Sequence, residues 1–248
     1  MLAAERRQQI VRLLSQQSTI DIQQLVPRLA ASESTIRRDL AYLEGQGLLR
    51  RTYGGAVAVT KPGVTAPDAL SEAKMHIGEA AARLIRQDET IFLGPGTTTM
   101  AVAQHLARRA SVTVVTNALD IATYLIQNSQ LSVILTGGQI ERNNTALLGY
   151  LAELTLHELR ADRAIIGVHG IHLPDGITGS TLACVQLMRT VIDIVPEIVV
   201  VADASKWGSS GPALMAPLDA VDVIVTDQNA PPVMIWDLSQ LGIKVIQA

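Results

Sequence analysis

The clearest hydrophobic pattern near the start of the chain lies between Ser32 and Gln46. Ile36, Leu40 and Leu43 recur at the spacing that places side chains on one face of a helix. Ser32 precedes this apolar face, where its hydroxyl can accept a hydrogen bond from a first-turn N–H group. The pattern therefore predicts a capped amphipathic helix that buries one face and turns a polar face outward.

A helix is also predicted at the start of the chain, over residues 5–14. Its apolar positions lie beneath a second face that carries Arg6, Arg7 and Arg12. Because these arginines lie away from the apolar positions, we expect their side chains to be exposed.

Another helix is predicted between these two. Asp21 and Gln24 have the spacing of a capping box, and the helix that they open should run to Leu29. Pro27 removes a backbone hydrogen bond from the interior of that helix, at a cost of up to ~3 kcal/mol. We therefore expect the helix to be kinked or to begin later, before a tight turn over residues 30–32 leads into the Ser32–Gln46 helix.

A β-hairpin is predicted after the Ser32–Gln46 helix, which should end at a Gly47 C-cap. Residues 48–53 form the first strand, Gly54-Gly55 form the turn and residues 56–59 form the second strand. Helices followed by such a hairpin make a winged helix-turn-helix. The residues of the wing that we expect to contact DNA phosphates are Arg50, Arg51 and Tyr53.

The outward face of the Ser32–Gln46 helix carries hydroxyl and guanidinium groups near its N-terminal end. Ser34 and Arg38 point directly away from the apolar stripe, and Thr35 and Arg37 lie on its flanks. Arginine can donate two hydrogen bonds to guanine in the major groove, while hydroxyls can contact phosphates. A solvated basic face is the other interpretation of the same pattern.

From residue 71 onward, short apolar segments alternate with longer segments of helical periodicity. The predicted strands are 90–93, 112–116, 131–136, 163–168, 198–202, 221–226 and 244–246, and the predicted helices are 71–87, 97–108, 119–127, 150–159 and 182–195. Such alternation predicts an α/β domain in which helices cover both faces of a mostly parallel sheet.

Length and composition are consistent with two domains. The chain has 248 residues, of which 48% are hydrophobic and 17% charged. We predict a DNA-binding domain over residues 1–60, a linker rich in proline and glycine over 61–70, and an effector-binding and oligomerisation domain over 71–248. No apolar run is long enough to span a membrane. The single cysteine, Cys184, excludes an internal disulfide and is consistent with a buried, inert thiol in a cytoplasmic protein.

The two predicted domains differ in charge. Residues 1–60 contain eight arginines against five acidic residues, whereas residues 61–248 contain 12 basic against 18 acidic residues. A basic head on an acidic body favours local contact with nucleic acid over binding of polyanions by the whole molecule.

Polar and glycine-rich loops follow several of the predicted strands. The residues of these loops that we expect to bind a small anionic effector are Gly94, Gly96, Thr97, Thr98, Thr99, Thr116, Asn117, Gly137, Gly138 and Lys206. Ligands of parallel sheets bind at the carboxyl ends of strands, and helix-terminal N–H groups there can hold a phosphate. Any one of these loops could equally be an ordinary turn or helix cap.

Two other chemistries are disfavoured, so no cofactor and no metal is predicted. Gly94-x-Gly96 resembles part of a dinucleotide-binding fingerprint, but Thr99 occupies the third glycine position. His169, His172 and Asp175 are spaced like metal ligands, but the glycines and proline among them fit a simple loop better.

The head contains the run TIRRDLxxLExxGLLRRxxGGA from Thr35 to Ala56. This run resembles the DNA-binding head of the DeoR-type family of bacterial regulators of sugar metabolism, with Tyr53 where the family usually has His or Asn. It implies contacts to bases or phosphates from Ser34, Thr35, Arg37 and Arg38.

The body resembles the same family in its sugar-phosphate-binding domain. The motifs are GTTT (96–99), VTN (115–117), GG (137–138), GI…DGIT (170–178) and ADASKWG (202–208), in the family's order. This resemblance implies a fold similar to ribose-5-phosphate isomerase. It also implies a repressor that binds operator DNA as a homo-oligomer, a dimer or tetramer, and responds to a phosphorylated sugar or related metabolite.

Three residues depart from the family pattern in the expected pocket. Gly94 replaces an aspartate, and Gln186 and Met188 take the places of an acidic residue and a lysine. An aldose–ketose isomerase needs a general base, normally a carboxylate, so these changes argue against an enzyme. Met188 favours a smaller or less polar ligand. A body that serves only as an oligomerisation scaffold is the remaining alternative.

Overall fold

The computed structural model describes residues 6–7, 9–10, 13, 19–29, 31–45, 49–52, 54–58, 71–109, 111–142 and 144–248. The chain divides into two compact units, Met1–Pro62 and Gly63–Ala248, here called the head and the body. The predicted linker, the Gly47 C-cap, Arg12 and Tyr53 lie outside the described residues.

The head combines helices with a small antiparallel sheet. Its elements are β1 (Thr19–Asp21), α1 (Ile22–Leu29), α2 (Glu33–Gly45), β2 (Leu49–Arg51) and β3 (Gly55–Ala58), preceded by helical residues at 6–7, 9–10 and 13. Strand order is β1-β3-β2, and Leu49 pairs with Ala58 in the hairpin. The predicted winged helix-turn-helix is confirmed. The short strand β1 was not predicted, because only its pairing with β3 makes it a strand.

The helix starts of the head follow from side-chain caps. Ser32 Oγ accepts a hydrogen bond of 3.3 Å from the Thr35 N–H group, as predicted. Asp21 Oδ1 accepts one of 2.8 Å from Gln23 N. Pro27 does lie inside α1, but the expectation of a later start is wrong, since α1 begins directly after Asp21. The Asp21 cap and burial of the apolar side of α1 offset the hydrogen bond that proline cannot make.

The body is built on a seven-stranded sheet whose strands are all parallel. Its strands, in the order β15-β14-β12-β9-β4-β5-β6, are β4 (Thr90–Leu93), β5 (Thr113–Thr116), β6 (Ser132–Leu135), β9 (Arg163–Gly167), β12 (Ile198–Val201), β14 (Val223–Thr226) and β15 (Lys244–Gln247). The short strands of the body are β7 (Gln139–Ile140), β8 (Leu147–Leu148), β10 (Gly170–His172), β11 (Gly176–Gly179) and β13 (Ala213–Ala216). Its helices are α3 (Glu72–Arg83), α4 (Thr97–Leu106), α5 (Leu119–Asn128), α6 (Tyr150–His157), α7 (Leu182–Ile194) and α8 (Pro232–Gln240).

Alternate residues of the central strands enter two separate cores. In β12, Val200 packs with the core that contains α6, α7 and α8, whereas Val199 packs with the core that contains α3, α4 and α5. Helices therefore cover both faces of the sheet, which confirms the predicted α/β class. The seven predicted strands are all present, and the unpredicted elements are α8 and the short strands β7, β8, β10, β11 and β13.

The order of strands reverses direction between β4 and β9. Strands β5 and β6 continue from β4 toward one edge of the sheet, whereas β9, β12, β14 and β15 continue toward the other. Connections that leave β4 and β9 in opposite directions open a crevice at the carboxyl ends of these two strands. The topology therefore places a ligand-sized crevice where the loops after β4 and β9 meet.

Candidate functional site

The outward face of α2 presents the residues that we expect to contact DNA. Ser34, Arg37 and Arg38 are exposed and Thr35 is half-buried. Ser32 Oγ lies 3.0 Å from Ser34 Oγ and 2.8 Å from Thr35 Oγ1, so the three hydroxyls form one cluster at the start of the helix. Such a cluster can donate hydrogen bonds to phosphate oxygens beside the N–H groups of the first turn.

The two guanidinium groups of this face have different surroundings. Arg37 donates to Glu33 Oε1 from Nη2 at 2.6 Å and from Nε at 3.0 Å, one turn earlier on the same helix. Arg38 makes no hydrogen bond or ion pair with any residue that the structure describes, which leaves its five donors available to a base edge or phosphate.

The arginines at the start of the chain do not form the exposed face that was expected. Arg6 and Arg7 donate from Nε to the two oxygens of Asp39, at 2.6 and 2.7 Å. Asp39 is only 2% exposed, and the guanidinium carbon of Arg7 also lies 3.8 Å from the ring centroid of Tyr42. The prediction of an exposed face at Arg6 and Arg7 is therefore wrong, because the buried carboxylate of α2 binds both side chains.

The β2–β3 wing is fastened to the end of α2. Glu44 accepts hydrogen bonds from the Arg51 backbone N–H at 2.9 Å and from Arg51 Nε at 2.6 Å. The hydrogen bond from the Arg51 backbone contributes most to lowering the pKa of Glu44, and the hydrogen bond from the Arg51 side chain contributes next. Arg51 remains exposed beside Glu44, and the Arg50 side chain lies outside the described parts of the chain. Phosphate contacts from the wing stay a prediction.

A pocket lies in the crevice between the carboxyl ends of β4 and β9, and we call it the switch-point pocket. It is lined by Lys74, Pro95, Gly96, Thr97, Thr98, Asn144, Gly167, Val168, His169, Gly179, Ser180, Cys184, Met188, Val201, Ala202, Asp203, Lys206 and Met215. One part of this lining is cationic and hydroxylated, while Cys184, Met188 and Met215 provide an apolar wall.

The start of α4 provides backbone donors to the pocket. Gly96 is its N-cap, with φ of 138°, and offers no side chain that could accept from the first-turn N–H groups. Thr99 Oγ1 donates a hydrogen bond of 2.8 Å to Gly96 O and so stabilises the first turn of α4. Thr98 is only 8% exposed, and neither its hydroxyl nor that of Thr97 has a hydrogen-bond partner among the described residues.

Two half-buried lysines flank these donors. Lys74 in the first turn of α3 and Lys206 after β12 both line the pocket. Neither ammonium group has an ion pair with any side chain in the described ranges. The Lys206 loop is held by Asp227 Oδ2, which accepts from Ala204 N at 2.6 Å, and by Trp207 Nε1, which donates to Thr226 Oγ1 at 3.0 Å. Unpaired cations beside open helix N–H groups suit an anionic ligand.

The structure brings only some of the predicted effector residues to this pocket. Gly96, Thr97, Thr98 and Lys206 line it. A Cβ on Gly94 would lie 3.6 Å from Met188 Sδ. The absence of a side chain at Gly94 therefore leaves open the space next to the Met188 thioether. Met188 thus lines the pocket together with the two threonines, whereas Gln186 is exposed.

The remaining predicted residues make contacts within the fold. Thr116 Oγ1 donates to Leu93 O at 2.6 Å, and Asn117 Nδ2 donates to Leu147 O at 3.2 Å. A Cβ on Gly138 would lie 2.6 Å from Leu148 O, so this glycine permits a close approach of two backbones. These contacts hold the residues within the fold, but Asn117 Oδ1 is buried without a hydrogen-bond partner among the described residues, and the predicted role of all three in effector binding is untested.

Several lining residues escaped the sequence predictions. Lys74 and Asn144 lie outside the strand-end loops, and Cys184 and Met215 lie within other elements. Lys74 did carry a signal, because the chain has only four lysines, at 61, 74, 206 and 244. Burial, with a contribution from Glu141, raises the pKa of the Cys184 thiol to about 11, so the thiol stays protonated and unreactive at neutral pH.

The histidines do not assemble a metal site within the described ranges. His172 Nδ1 lies 2.9 Å from Asp175 Oδ2, whereas His169 faces the switch-point pocket. In the described parts of the chain, no three His, Cys, Asp or Glu side chains are grouped closely enough to hold a metal ion. The described helices also include none that could cross a membrane.

Comparison with known proteins covers both units. Residues 6–62 match the family described as DeoR-like helix-turn-helix domain, and residues 70–228 match the DeoR C terminal sensor domain. The Escherichia coli (strain K12) HTH-type transcriptional regulator YgbI is 36% identical over 93% of this chain and 92% of its own length. The transcriptional repressor AccR of Agrobacterium fabrum is 34% identical over 91% of this chain and 90% of its own length.

Solved structures give a weaker likeness. The ribose 5-phosphate isomerase A of Methanocaldococcus jannaschii shares 18% identity and a TM-score of 0.41, over 54% of this chain and 53% of that one. Similarity at this level carries no conclusion about activity. The two family matches and the two regulators together cover nearly the whole chain. The chain therefore belongs to the DeoR family and is a DNA-binding transcription regulator with a sensor domain, not an enzyme.

Proposed function

We propose that this regulator represses a carbohydrate-metabolism operon in the cytoplasm and that a phosphorylated sugar or related anion controls its affinity for operator DNA. The observation that carries the effector proposal is the switch-point pocket. There, Lys74, Lys206 and the open N-terminus of α4 offer positive charge and N–H donors with no anion from the described protein to satisfy them. The name of the relative AccR supports a repressor.

The proposed division of labour follows the two units. Residues 1–60 contact DNA, residues 61–70 join the units, and residues 71–248 bind the effector and hold the oligomer together. An oligomer is proposed because one recognition helix reads only a few base pairs, and paired heads can sample two half-sites.

In the head, Arg38 is proposed to read bases because its guanidinium is exposed and has no partner in the described head residues. Ser34 and Thr35 are proposed to contact phosphates from the hydroxyl cluster at the start of α2. Arg37 can join them once it exchanges Glu33 for a phosphate oxygen. Arg50, Arg51 and Tyr53 are proposed as wing contacts, which set the register on the duplex.

In the body, the effector is proposed to place its anionic group between Thr97, Thr98 and Lys206, with Gly96 allowing close approach. Its other end would meet the apolar wall that includes Met188. Gly94 takes the place of the aspartate that the family usually has before the glycine-threonine loop. The carboxylate that does line the pocket, Asp203, already accepts hydrogen bonds from the N–H and hydroxyl groups of Ser205, so neither position offers the free general base that an isomerase would need. We therefore propose binding without turnover.

Calorimetric titration of the full-length protein with a panel of sugar phosphates tests this proposal. We expect at least one member to bind, and the Thr97→Val, Thr98→Val double variant to lose that binding. The control is Thr155→Val, whose exposed hydroxyl only donates to Leu151 O of its own helix. Absence of heat and of a thermal shift with every sugar phosphate would instead favour a body that serves only as an oligomerisation scaffold.

A further inference from the structure

Lys74 and Lys206 both line the pocket, but they lie on different parts of the chain. The loops at the carboxyl ends of the strands supply most of the lining, but Lys74 comes from the first turn of α3, which follows the segment joining head and body. The cap of this turn is Ser71, whose Oγ accepts from the Lys74 backbone N–H at 3.4 Å. A contact at the Lys74 side chain is thus made at the third residue of the body's first helix.

The position of Lys74 is electrostatically unfavourable unless an anionic partner lies beside it. The first turn of a helix carries the positive end of the helix dipole, which disfavours a cation there. Lys74 is half-buried and has no ion pair with any described residue, including Asp203, the carboxylate that shares the pocket. An anion bound beside Lys74 would remove this penalty and gain a charge-assisted hydrogen bond.

Helix α3 is also rigidly joined to the other anion-binding element. A Cβ on Gly78 would lie 2.6 Å from the carbonyl carbon of Ala101 in α4, so the two helices are in backbone contact one turn beyond Lys74. Ile77 is fully buried beside this contact. The start of α4 carries the nearly buried Thr98, whose hydroxyl has no partner in the described part of the body. The first turn of α3, which contains Lys74, precedes the Gly78–Ala101 contact and is not part of it.

We propose that Lys74 pairs with the anionic group of the effector and thereby fixes the first turn of α3, so that Lys74 converts occupancy of the pocket into a signal to the linker. Lys206 contributes to affinity but lies far along the chain from the linker. This inference rests on the proposed function, because it requires that the switch-point pocket takes an anion. A ligand can shift the regulator only through a contact that differs between its states, and Lys74 supplies such a contact.

Hydrogen exchange of the full-length protein, with inorganic phosphate as the probe, tests this role. The variants are Lys74→Met and Lys206→Met, which keep the aliphatic stem and remove the charge, and Lys74→Arg, which keeps the charge. Lys244→Met is the matched control, because Lys244 is exposed on β15 and does not line the pocket. Phosphate affinities are measured by calorimetry so that exchange is compared at saturation of each variant.

In the wild type and Lys244→Met, phosphate should slow exchange of the amides in residues 72–76. Lys74→Met and Lys206→Met should each bind phosphate about tenfold more weakly, as expected for loss of one charge-assisted hydrogen bond. At saturation, Lys206→Met should recover the protection of residues 72–76, whereas Lys74→Met should not. Lys74→Arg should restore it.

Full protection of residues 72–76 in phosphate-saturated Lys74→Met would overturn the role of Lys74 and leave the pocket intact. Absence of phosphate and sugar-phosphate binding by the wild type would overturn the proposed function and this inference with it. The thermal unfolding temperature of each variant should equal that of Lys244→Met, which shows that the substitution has changed the charge and not the fold.

Discussion

The arginines of the head are distinguished by the carboxylates beside them. Asp39 binds Arg6 and Arg7, and Glu33 binds Arg37, while Arg38 is exposed without such a partner in the described head. The sequence places Arg37 and Arg38 side by side and gives them the same expected role. Only the structure shows that Arg37 has an intrahelical partner, which it would have to exchange in order to contact DNA, and that Arg38 has no such partner among the described residues.

Arg38→Ala should therefore weaken operator binding by ~1–3 kcal/mol and relax the preference for operator over random duplex. The physical reason is that a base-reading guanidinium contributes to affinity and to discrimination together. Fluorescence anisotropy with both duplexes measures the two effects. Arg86→Ala, which removes an 82% exposed arginine of the body, is the control. An equal loss on both duplexes would make Arg38 a phosphate contact.

Cys184 gives a prediction about pH. Burial raises the pKa of its thiol from the ordinary 9.0 to about 11, so the folded state keeps the proton over a range in which the unfolded state releases it. The stabilisation is complete below pH 9 and is lost as the pH rises through 11, which amounts to up to about 3 kcal/mol. The free energy of unfolding of the wild type should fall more steeply there than that of Cys184→Ala. Parallel pH profiles above pH 9 would contradict this.

At the scale of elements, a buried carboxylate joins α2 to the first helical segment, in addition to the apolar contacts of the head core. Asp39→Ala should destabilise α2 by about 2 kcal/mol, because two guanidinium groups lose their acceptor and can regain only part of their hydration. Hydrogen exchange of α2 amides in the full-length protein measures this change.

The control for Asp39→Ala is Glu33→Ala on the same helix. Its ion pair with Arg37 is exposed on both sides, at 58% and 56%, so its loss should cost at most about 0.5 kcal/mol. Equal effects of the two substitutions would show that the burial of Asp39 does not strengthen its interaction with Arg6 and Arg7.

The elements that the sequence predicted are those with strong periodicity. The seven parallel strands are short apolar runs, and β12 and β14 each consist of four buried residues. In contrast, α8 was not predicted. Its apolar residues Val233 and Trp236 are exposed and only Leu238 is buried, so its apolar positions do not mark one buried helix face. The two-residue strands β7 and β8 exist only through their mutual pairing, and a single sequence carries no signal of that register.

At the scale of the whole molecule, the sequence located the pocket only in part. Polar loops at strand ends pointed to Thr97, Thr98 and Lys206, which do meet in the pocket. The same reasoning assigned Thr116 and Asn117 to the site, but these side chains bond to backbone carbonyls of the fold. Lys74 lies on α3, which packs closely on α4 through Gly78 and Ala101, and a single sequence carries no signal of that long-range packing.

The central claim is that the head binds DNA while an anion in the body changes how tightly it does so. The direct test is the operator affinity of full-length wild type and the Thr97→Val, Thr98→Val double variant, with and without the sugar phosphate that binds the wild type. The operator is the duplex that the protein protects in footprinting of the region upstream of its own gene. Both proteins should bind this duplex equally in the absence of ligand, and only the wild type should change its affinity when ligand is added. An unchanged response in the double variant would contradict the claim and place the sensor elsewhere.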